Sequence, residues 1–406
     1  MSIRKIGVFT GNRAEYGLQL PILKAIDKHP ELEYRLIVSG AHLDNNFGRT
    51  LDEIKNDGLR IHSTVEINLD SDHLYSTAQA IGLGVIEISK ALSNIQPDLF
   101  LVYADRFEGF AAVVASTQMN IPTGHLEGGD LTEGGALDDS VRHAMTKLSH
   151  LHFTTNQQAS NRVLAMGEEP WRVHTVGFPA IDLISEHNYA SESEVSEALN
   201  LDLDSPIVLF TQHSVTTEYS DASSQIQISL DALKFLASEG IQCVLTYPNN
   251  DVGGMKIIDA LQSLGKKGSQ NIQIHQSLGR YLYHGTLALA LNASRRVVCM
   301  GNSSSGLKET PAFRCPAVNI GTRQDGRLRG ANVLDVPYNK KQIIEATKQC
   351  LFDDQFRQIC FASENPYWLG NAGSKVADIL AKVPLDQSLI QKKMTLKGIE
   401  NNGWFR

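Results

Sequence analysis

The stretch KIGVFTGNRAEYGLQLPILKAIDKHPELEYRLIVSG, residues 5–40, decides the fold. KIGVFT reads as a strand apolar enough to be buried on both faces. A loop, GNRAEYG, follows. Leu18, Ile22 and Ile26 then recur at helical spacing, with Pro21 placed in the first turn. EYRLIVSG is a second apolar strand, so the whole stretch reads as one βαβ unit.

Working outward, the pattern repeats. PDLFLVYAD, IPTGHLE, LHFTT and RVHTVG are short apolar strands separated by helical patterns. After about residue 186 the polar segment SEHNYASESEVSEALNLDLDSP lacks a strand and marks a junction. SPIVLFT, IQCVLTYP, NIQIH, RRVVCMG and PAVNIG then form a second series. Such alternation implies parallel sheets with helices on both faces, here as two doubly wound domains in tandem. The expected domains are residues 1–186, residues 187–368, and a C-terminal helix with a loose tail, 369–406, packing back on the first.

Composition narrows the function. The chain has 406 residues, 42% apolar and 20% charged, as in ordinary globular proteins. No apolar run reaches the ~18–20 residues of a membrane span. The N-terminus reads as a strand entering a loop, not a signal peptide. Five cysteines, Cys243, Cys299, Cys315, Cys350 and Cys360, show no CxxC spacing and read as reduced structural thiols of a cytoplasmic protein. The net charge of −8 argues against a nucleic-acid partner, yet leaves room for one anionic ligand held by a few arginines.

In open parallel sheets, ligands bind beyond the carboxyl ends of the strands. The loops to inspect are therefore GNRAEYG, ADRFEG, GHLEGGD, TQHSVTTE, YPNND and GNSSSG, all placed directly after predicted strands. GNSSSGLKET, residues 301–310, opens a helical pattern with flanking glycines and serine hydroxyls, which suits a diphosphate; an ordinary serine-capped helix is the plain alternative. Neither a Walker P-loop nor a GxGxxG fingerprint occurs, so kinase and nicotinamide readings lose their main support. Arg13, Arg106 and Arg323 each follow a strand, and their planar forks match phosphate.

Asp105 and Glu127 end buried strands, where desolvation suits a carboxyl for proton transfer; capping of the next helix competes, seriously for Asp105. GHLEGGDLTEGGALDDSVRH, residues 124–143, crowds five carboxylates among five glycines. One of Asp138 and Asp139 reads as a first-turn charge, and Asp130 and Glu133 as solvated. His213 follows a strand and can exchange protons near neutral pH. His150 and His152 read as packing residues, since no third ligand for a metal lies in reach.

Taken in order, GNRAEYG, DRFEG, HLEGGD, DDSVRH, VGFPAID, GNSSSGLKE and GTRQDGR resemble the UDP-N-acetylglucosamine 2-epimerase family, and more closely its hydrolysing branch from sialic-acid-type sugar pathways. The resemblance runs from about residue 3 to about 380. It implies the GT-B architecture, two Rossmann-like domains with the active site in the cleft between them. It implies elimination of UDP with loss of the C2 proton, a glycal intermediate, and hydration to free N-acetylmannosamine, with no metal or redox cofactor.

By the same resemblance, Asp105, Glu127 and Asp138 match acid/base positions. Arg13, Arg106, Ser303, Ser304 and Arg323 match the diphosphate set, and Glu309 matches the carboxylate on the ribose. His213 matches a histidine near the leaving group, Asn249 a nucleotide contact, and His275 is the candidate for uracil. A homo-oligomer, dimer or tetramer, is expected, with no membrane partner. The loop before Asp138 is longer than in the family's common form, which leaves Asp138 against Asp139 open. NPYWLGNA carries Trp368 and Leu369 where the family often has Gly and Asp. UDP-N,N'-diacetylbacillosamine, of the legionaminic acid route, is the alternative substrate. A GT-B glycosyltransferase and a non-catalytic nucleotide-sugar sensor share the fold, but neither needs three carboxylates around the sugar C2.

Overall fold

The computed structural model describes residues 3–43, 51–67, 74–132, 137–249, 252–268 and 271–395. The chain divides into two compact units. Unit 1 takes residues up to 130, 138–182 and those from 369 onward. Unit 2 takes 131–137 and 183–368. Among the described residues no helix is long and apolar enough to cross a membrane.

Unit 1 is built on seven parallel strands: β1 (Arg4–Thr10), β2 (Leu32–Ser39), β3 (Ile61–Val65), β4 (Leu99–Tyr103), β5 (Thr123–Leu126), β6 (Leu151–Thr154) and β7 (Val173–Thr175). Their order is β3-β2-β1-β4-β5-β6-β7, so the winding reverses between β1 and β4. Its helices are α1 (Arg13–Lys28), α2 (Leu51–Asn56), α3 (Leu74–Ile95), α4 (Phe107–Gln118), α5 (Leu137–Leu148), α6 (Gln157–Ala165) and α7 (Ala180–Ser185). Every residue of β4 is buried, and Phe9, Ile37, Phe100, Val102, Ala111 and Met145 share one core between sheet and helices.

Unit 2 repeats the plan with β8 (Ile207–Thr211), β9 (Gln242–Thr246), β10 (Ile272–His275), β11 (Val297–Gly301), β12 (Ala317–Ile320) and β13 (Val333–Val336). The order β10-β9-β8-β11-β12-β13 is again all parallel, with its reversal between β8 and β11. The helices are α8 (Glu192–Leu199), α9 (Ala222–Ser238), α10 (Gly254–Lys267), α11 (Gly279–Ala288), α12 (Ser305–Lys308), α13 (Lys340–Phe352) and α14 (Asp354–Ala362). The two reversals place β1 beside β4 and β8 beside β11, the switch points at which doubly wound sheets bind ligands.

Two local expectations need correction. GNRAEYG is not a loop followed by a helix: α1 starts inside it. Asn12 caps the helix by accepting the Glu15 N–H at 3.1 Å, and the Glu15 carboxylate reaches back to the Gly11 N–H at 3.0 Å. This reciprocal capping satisfies two backbone donors and starts the helix earlier, which leaves Pro21 in its interior.

The C-terminal end is not a loose tail as far as residue 395. Helices α15 (Ala372–Lys382) and α16 (Gln387–Ile390) belong to unit 1, and α15 packs along α1, where Gly373 meets the Pro21 carbonyl. Asp182 holds this helix start by accepting the Ala372 and Gly373 N–H groups at 3.0 and 2.7 Å.

Candidate active site

The backbone turns sharply after two adjacent strands of unit 1. Ala104 follows β4 with φ +54°, and Glu127 follows β5 with φ +66°. A non-glycine residue in this left-handed region costs roughly 1–2 kcal/mol. Neighbouring bonds hold both in place: the Ala104 N–H donates to Leu126 O at 2.9 Å, and the Glu127 N–H to Phe153 O at 2.8 Å. Such strain is characteristic of positions where the chain must re-aim a side chain. Here the side chains concerned are Asp105 and Glu127, and Glu127 is buried.

Asp105 does not cap α4. The cap position is Arg106, and no side-chain cap bond forms there. Asp105 instead pairs with Arg142, a wholly buried guanidinium on α5. Pairing offsets the cost of burying that cation. Asp138 stands one turn before Arg142 on the same helical face, while Asp139 is the more buried of the two acids. Sequence reading passed over Arg142. Its signal was present in DDSVRH, four residues after Asp138 in the first half of a helix.

Unit 1 also holds a pair of buried acids. Glu15 and Glu108 are both buried, and Glu108 accepts the Arg106 Nε at 3.2 Å. A Cβ on Gly11 would come within 2.8 Å of Glu108 Cβ, so the glycine is what lets β1 pass so close. Burial pushes the Glu15 carboxyl up to about 8, the Glu108 charge adds to the rise, and Arg106 opposes it. Arg13 opens α1, but its side chain lies outside the described portion, as does Glu133.

Asp130, expected to be solvated, is buried. It accepts hydrogen bonds from the Thr155 hydroxyl and from Asn156 Nδ2, each at 3.1 Å, and so ties the GHLEGGD loop to the start of α6. Sequence pattern missed this because its partners sit twenty-five residues away.

The corresponding place in unit 2 is chemically different. Gly301 ends β11 with φ +130°, and a Cβ there would lie 1.9 Å from the Thr211 carbonyl. Only glycine fits. The next residue, Asn302, is fully buried and bridges to β8's exit: its Oδ1 accepts the His213 N–H at 2.6 Å and its Nδ2 donates to His213 O at 2.9 Å. Nδ1 of His213 accepts the Asn249 N–H at 3.0 Å, so a neutral ring carries its proton on Nε2, as a donor. The loops holding His213, Asn249 and GNSSSG are thus bonded into one piece, with Asn302 as the link that sequence reading missed.

Arg323, after β12, donates to Asn302 O at 3.2 Å and joins the same cluster. Ser303 and Ser304 are half-buried, and Ser304 makes no side-chain cap bond. The helix they open, α12, is only four residues long. The helix-terminus part of the phosphate reading is therefore weak, and hydroxyls, loop amides and Arg323 carry what remains of it. Glu309 is buried and accepts from His284 Nε2 at 3.0 Å and from the Ser305 hydroxyl at 2.9 Å. Burial alone would raise the Glu309 carboxyl, but His284 and Ser305 outweigh it and hold the group below its ordinary value. His275 ends β10, the edge strand two places from β8, with Nε2 at 3.2 Å from Gln273 Oε1. Its backbone carbonyl accepts the Tyr247 N–H at 3.2 Å, two residues before Asn249.

All five cysteines are buried free thiols, and His150 and His152 are buried in hydrogen bonds. Among the described residues no group of three or more His, Cys, Asp and Glu is placed to hold a metal ion.

A sequence model of the UDP-N-acetylglucosamine 2-epimerase family matches residues 24–381. The chain belongs to this family. It is 34% identical over 339 residues to the GDP/UDP-N,N'-diacetylbacillosamine 2-epimerase (hydrolyzing) of Campylobacter jejuni, covering 84% of this chain and 86% of that one. It is 33% identical over 348 residues to a UDP-N-acetylglucosamine 2-epimerase of Neisseria meningitidis, covering 86% and 87%. Among solved structures, the Neisseria meningitidis UDP-GlcNAc 2-epimerase bound to UDP-GlcNAc superposes with a TM-score of 0.77 at 20% identity, covering 94% of this chain and all of that one. At that identity the likeness speaks for the fold, two Rossmann-like parallel-sheet domains.

Proposed function

We propose that this family member is a hydrolysing UDP-sugar 2-epimerase, converting UDP-N-acetylglucosamine to N-acetylmannosamine and UDP. The observation that carries the reading is the carboxylate set of unit 1: Asp105 locked to Arg142, Glu127 aimed by a strained backbone, and Asp138 on the face of α5 that holds Arg142. Inverting C2 of the sugar requires a proton to leave one face and another to arrive at the other. A glycosyl transfer or simple binding needs no such set.

The chemistry then runs in two steps. In the first, the C2 proton passes to a carboxylate, a C1–C2 double bond forms, and UDP leaves with the C1–O electron pair. In the second, water adds its oxygen to C1 and C2 regains a proton with opposite configuration. Proton transfer by a positioned group contributes typically 10²–10⁴-fold. Unit 2 would hold the nucleotide: Ser303, Ser304 and Arg323 on the diphosphate, Glu309 on the ribose hydroxyls, Asn249 beside the nucleoside, and the His213 Nε2 proton donated toward the departing phosphate. Arg106 of unit 1 is, by the family resemblance, a further candidate for phosphate. The Glu309 carboxylate suits a vicinal diol because His284 and Ser305 keep it ionised.

Release of free sugar, not of an epimeric UDP-sugar, is the reading supported by the GNRAEYG opening. By the family resemblance, Leu18 stands where the non-hydrolysing branch would carry a lysine. Without that cation UDP is held less firmly after elimination, and water takes its place. A second substrate, UDP-N,N'-diacetylbacillosamine, is favoured by the name of the Campylobacter jejuni relative. Incubation of pure protein with each UDP-sugar, followed by product identification, tests both. N-acetylmannosamine plus UDP supports the first reading. Turnover of the diacetamido sugar alone supports the second, and no free UDP from either overturns both.

A further inference from the structure

Residues 386–395 are tied to the rest of unit 1 through two cations, the buried Arg172 and the half-buried Lys392. Arg172, fully buried just before β7, donates to Ser388 O and Leu389 O at 2.7 Å each, and to Gln391 O at 3.2 Å. On its other side it reaches His150 O at 3.1 Å. Lys392 extends its Nζ to Lys147 O at 2.7 Å, Ser149 O at 2.5 Å and Thr146 O at 3.4 Å. Two of these carbonyls belong to the last turn of α5, and the third, of Ser149, follows it directly. The final carbonyls of a helix have no partner within it, and a cation placed there satisfies them and complements the helix dipole.

The cap is itself held. Glu168, fully buried, lies 2.8 Å from Lys392 Nζ, and it also accepts from Lys147 Nζ at 2.6 Å and His152 Nε2 at 2.9 Å. The backbone adds the Thr395 N–H to Gly167 O at 2.8 Å and the Lys393 N–H to the Glu169 carboxylate at 3.1 Å.

What α5 carries explains the concentration. Its first half bears Asp138, Asp139 and Arg142, and Arg142 grips Asp105. Its last turn bears Thr146, whose hydroxyl donates to His125 Nδ1 at 3.0 Å. The His125 Nε2–H in turn donates to Ala104 O at 2.6 Å, one residue before Asp105. The C-terminal carbonyls of the helix are therefore fixed by Lys392, and its position against the end of β4 by His125 and Arg142.

We propose that Lys392 is a positioning residue: by capping α5 it sets the axial register of that helix, and so the placement of Asp138 and of the Asp105–Arg142 pair. The proposal rests on the epimerase reading for its kinetic consequence. A displacement on the order of 1 Å at reacting groups can cost up to about 100-fold in rate. Lys392→Met should lower kcat about 10- to 100-fold. UDP affinity, read by calorimetry, should stay within about twofold, because unit 2 holds the nucleotide and Lys392 is not part of it. Lys392→Arg, which keeps a cation and several donors, should restore most of kcat.

A role in general stability alone would not separate kcat from UDP binding, and it would not be rescued selectively by arginine. Amide hydrogen exchange gives a second readout independent of substrate: Lys392→Met should speed exchange over residues 143–149 and leave unit 2 unchanged. A wild-type kcat in Lys392→Met, or unchanged protection of 143–149, overturns the proposal. If Lys392→Met does not fold, Lys392→Gln, which loses the charge but keeps two N–H donors, should give an intermediate kcat, and a wild-type value there overturns the proposal equally. Wild-type turnover is measured first. If wild type releases no UDP from any UDP-sugar, the epimerase reading fails, while exchange in α5 still decides the role of Lys392.

Discussion

The two units place different chemistry at the same point of the same fold. In unit 1, β4 and β5, the first two strands on one side of the reversal, lead into carboxylates, and non-glycine residues, Ala104 and Glu127, take the left-handed backbone. In unit 2, the equivalent strands lead into hydroxyls, amides and an arginine, and glycines, Gly301 and Gly321, take the positive φ angles. A strained non-glycine keeps a side chain to aim, and a glycine gives the backbone room to approach a ligand. On the proposed reading, unit 1 supplies side chains that move protons, and unit 2 a surface that grips an anion. The fold supplies only the location, and the residue types decide the task.

If the division holds, substitutions in the two units should fail in different ways. The largest effect is expected in unit 1. Glu127→Gln should reduce kcat by about 10²–10⁴-fold, because it removes a proton acceptor and keeps the shape. UDP affinity should stay near wild type. A loss of UDP binding equal to the loss of kcat would merge the two units into one function and break the comparison.

Next comes unit 2. Arg323→Ala should weaken UDP binding by about 10- to 100-fold, equivalent to ~1.5–3 kcal/mol for charge-assisted hydrogen bonds. Turnover of bound substrate should change by much less. Calorimetry with UDP and steady-state kinetics separate the two numbers. A pure kcat defect with unchanged UDP affinity would place Arg323 among the proton-moving groups and contradict the assignment.

A smaller effect sharpens the picture of unit 1. The folded-state value of Glu15, about 8, lies above its ordinary 4.5. The folded protein therefore keeps a proton that the unfolded chain releases. The contribution of this group to stability is full below about 4.5 and is lost as pH rises through about 8. Glu15→Gln stays neutral and should remove that loss. Thermal melts of both proteins should show the variant gaining on wild type from ~pH 5 to ~pH 9, and a pH-independent difference would contradict the buried, protonated state.

The smallest effect concerns metals. Activity should be unchanged after exhaustive chelation, as the family resemblance implies. Loss of activity with recovery on adding Mg²⁺ or Zn²⁺ would require a different account of the leaving group.

Much of the fold was legible because its signal is local. IGVFT, LFLVYA, IVLFT and VVCM are buried on both faces, so they read as continuous apolar runs, and their alternation with helices implies parallel sheets. The strand-end rule then pointed to Asp105, Glu127, His213 and GNSSSG. What sequence could not show was pairing at a distance. The union of Asp105 with Arg142, of His213 with Asn302, and of Glu309 with His284 spans 37, 89 and 25 residues.

Asp130 was misread for the same reason, since an acid in a glycine-rich stretch reads as solvated unless its Thr155 and Asn156 partners are known. Pro21 misled differently. Proline favours a first turn, but the Asn12–Glu15 capping pair started the helix earlier, and capping prevailed. The glycines of residues 124–143 were legible only as a question. Gly129, at φ +80°, is needed because a Cβ would lie 2.3 Å from Ala159 O, a packing constraint as much as a functional one.

The central claim is that unit 1 moves a proton at C2 while UDP departs for good. It is tested most directly by running the reaction in D₂O and following it by NMR. The account predicts free UDP, a free sugar epimerised at C2, and deuterium at C2 of that product. An equilibrium mixture of two UDP-sugars with little free UDP would contradict the hydrolytic outcome, and a product retaining its original C2 hydrogen would contradict the proton-transfer role given to Asp105, Glu127 and Asp138.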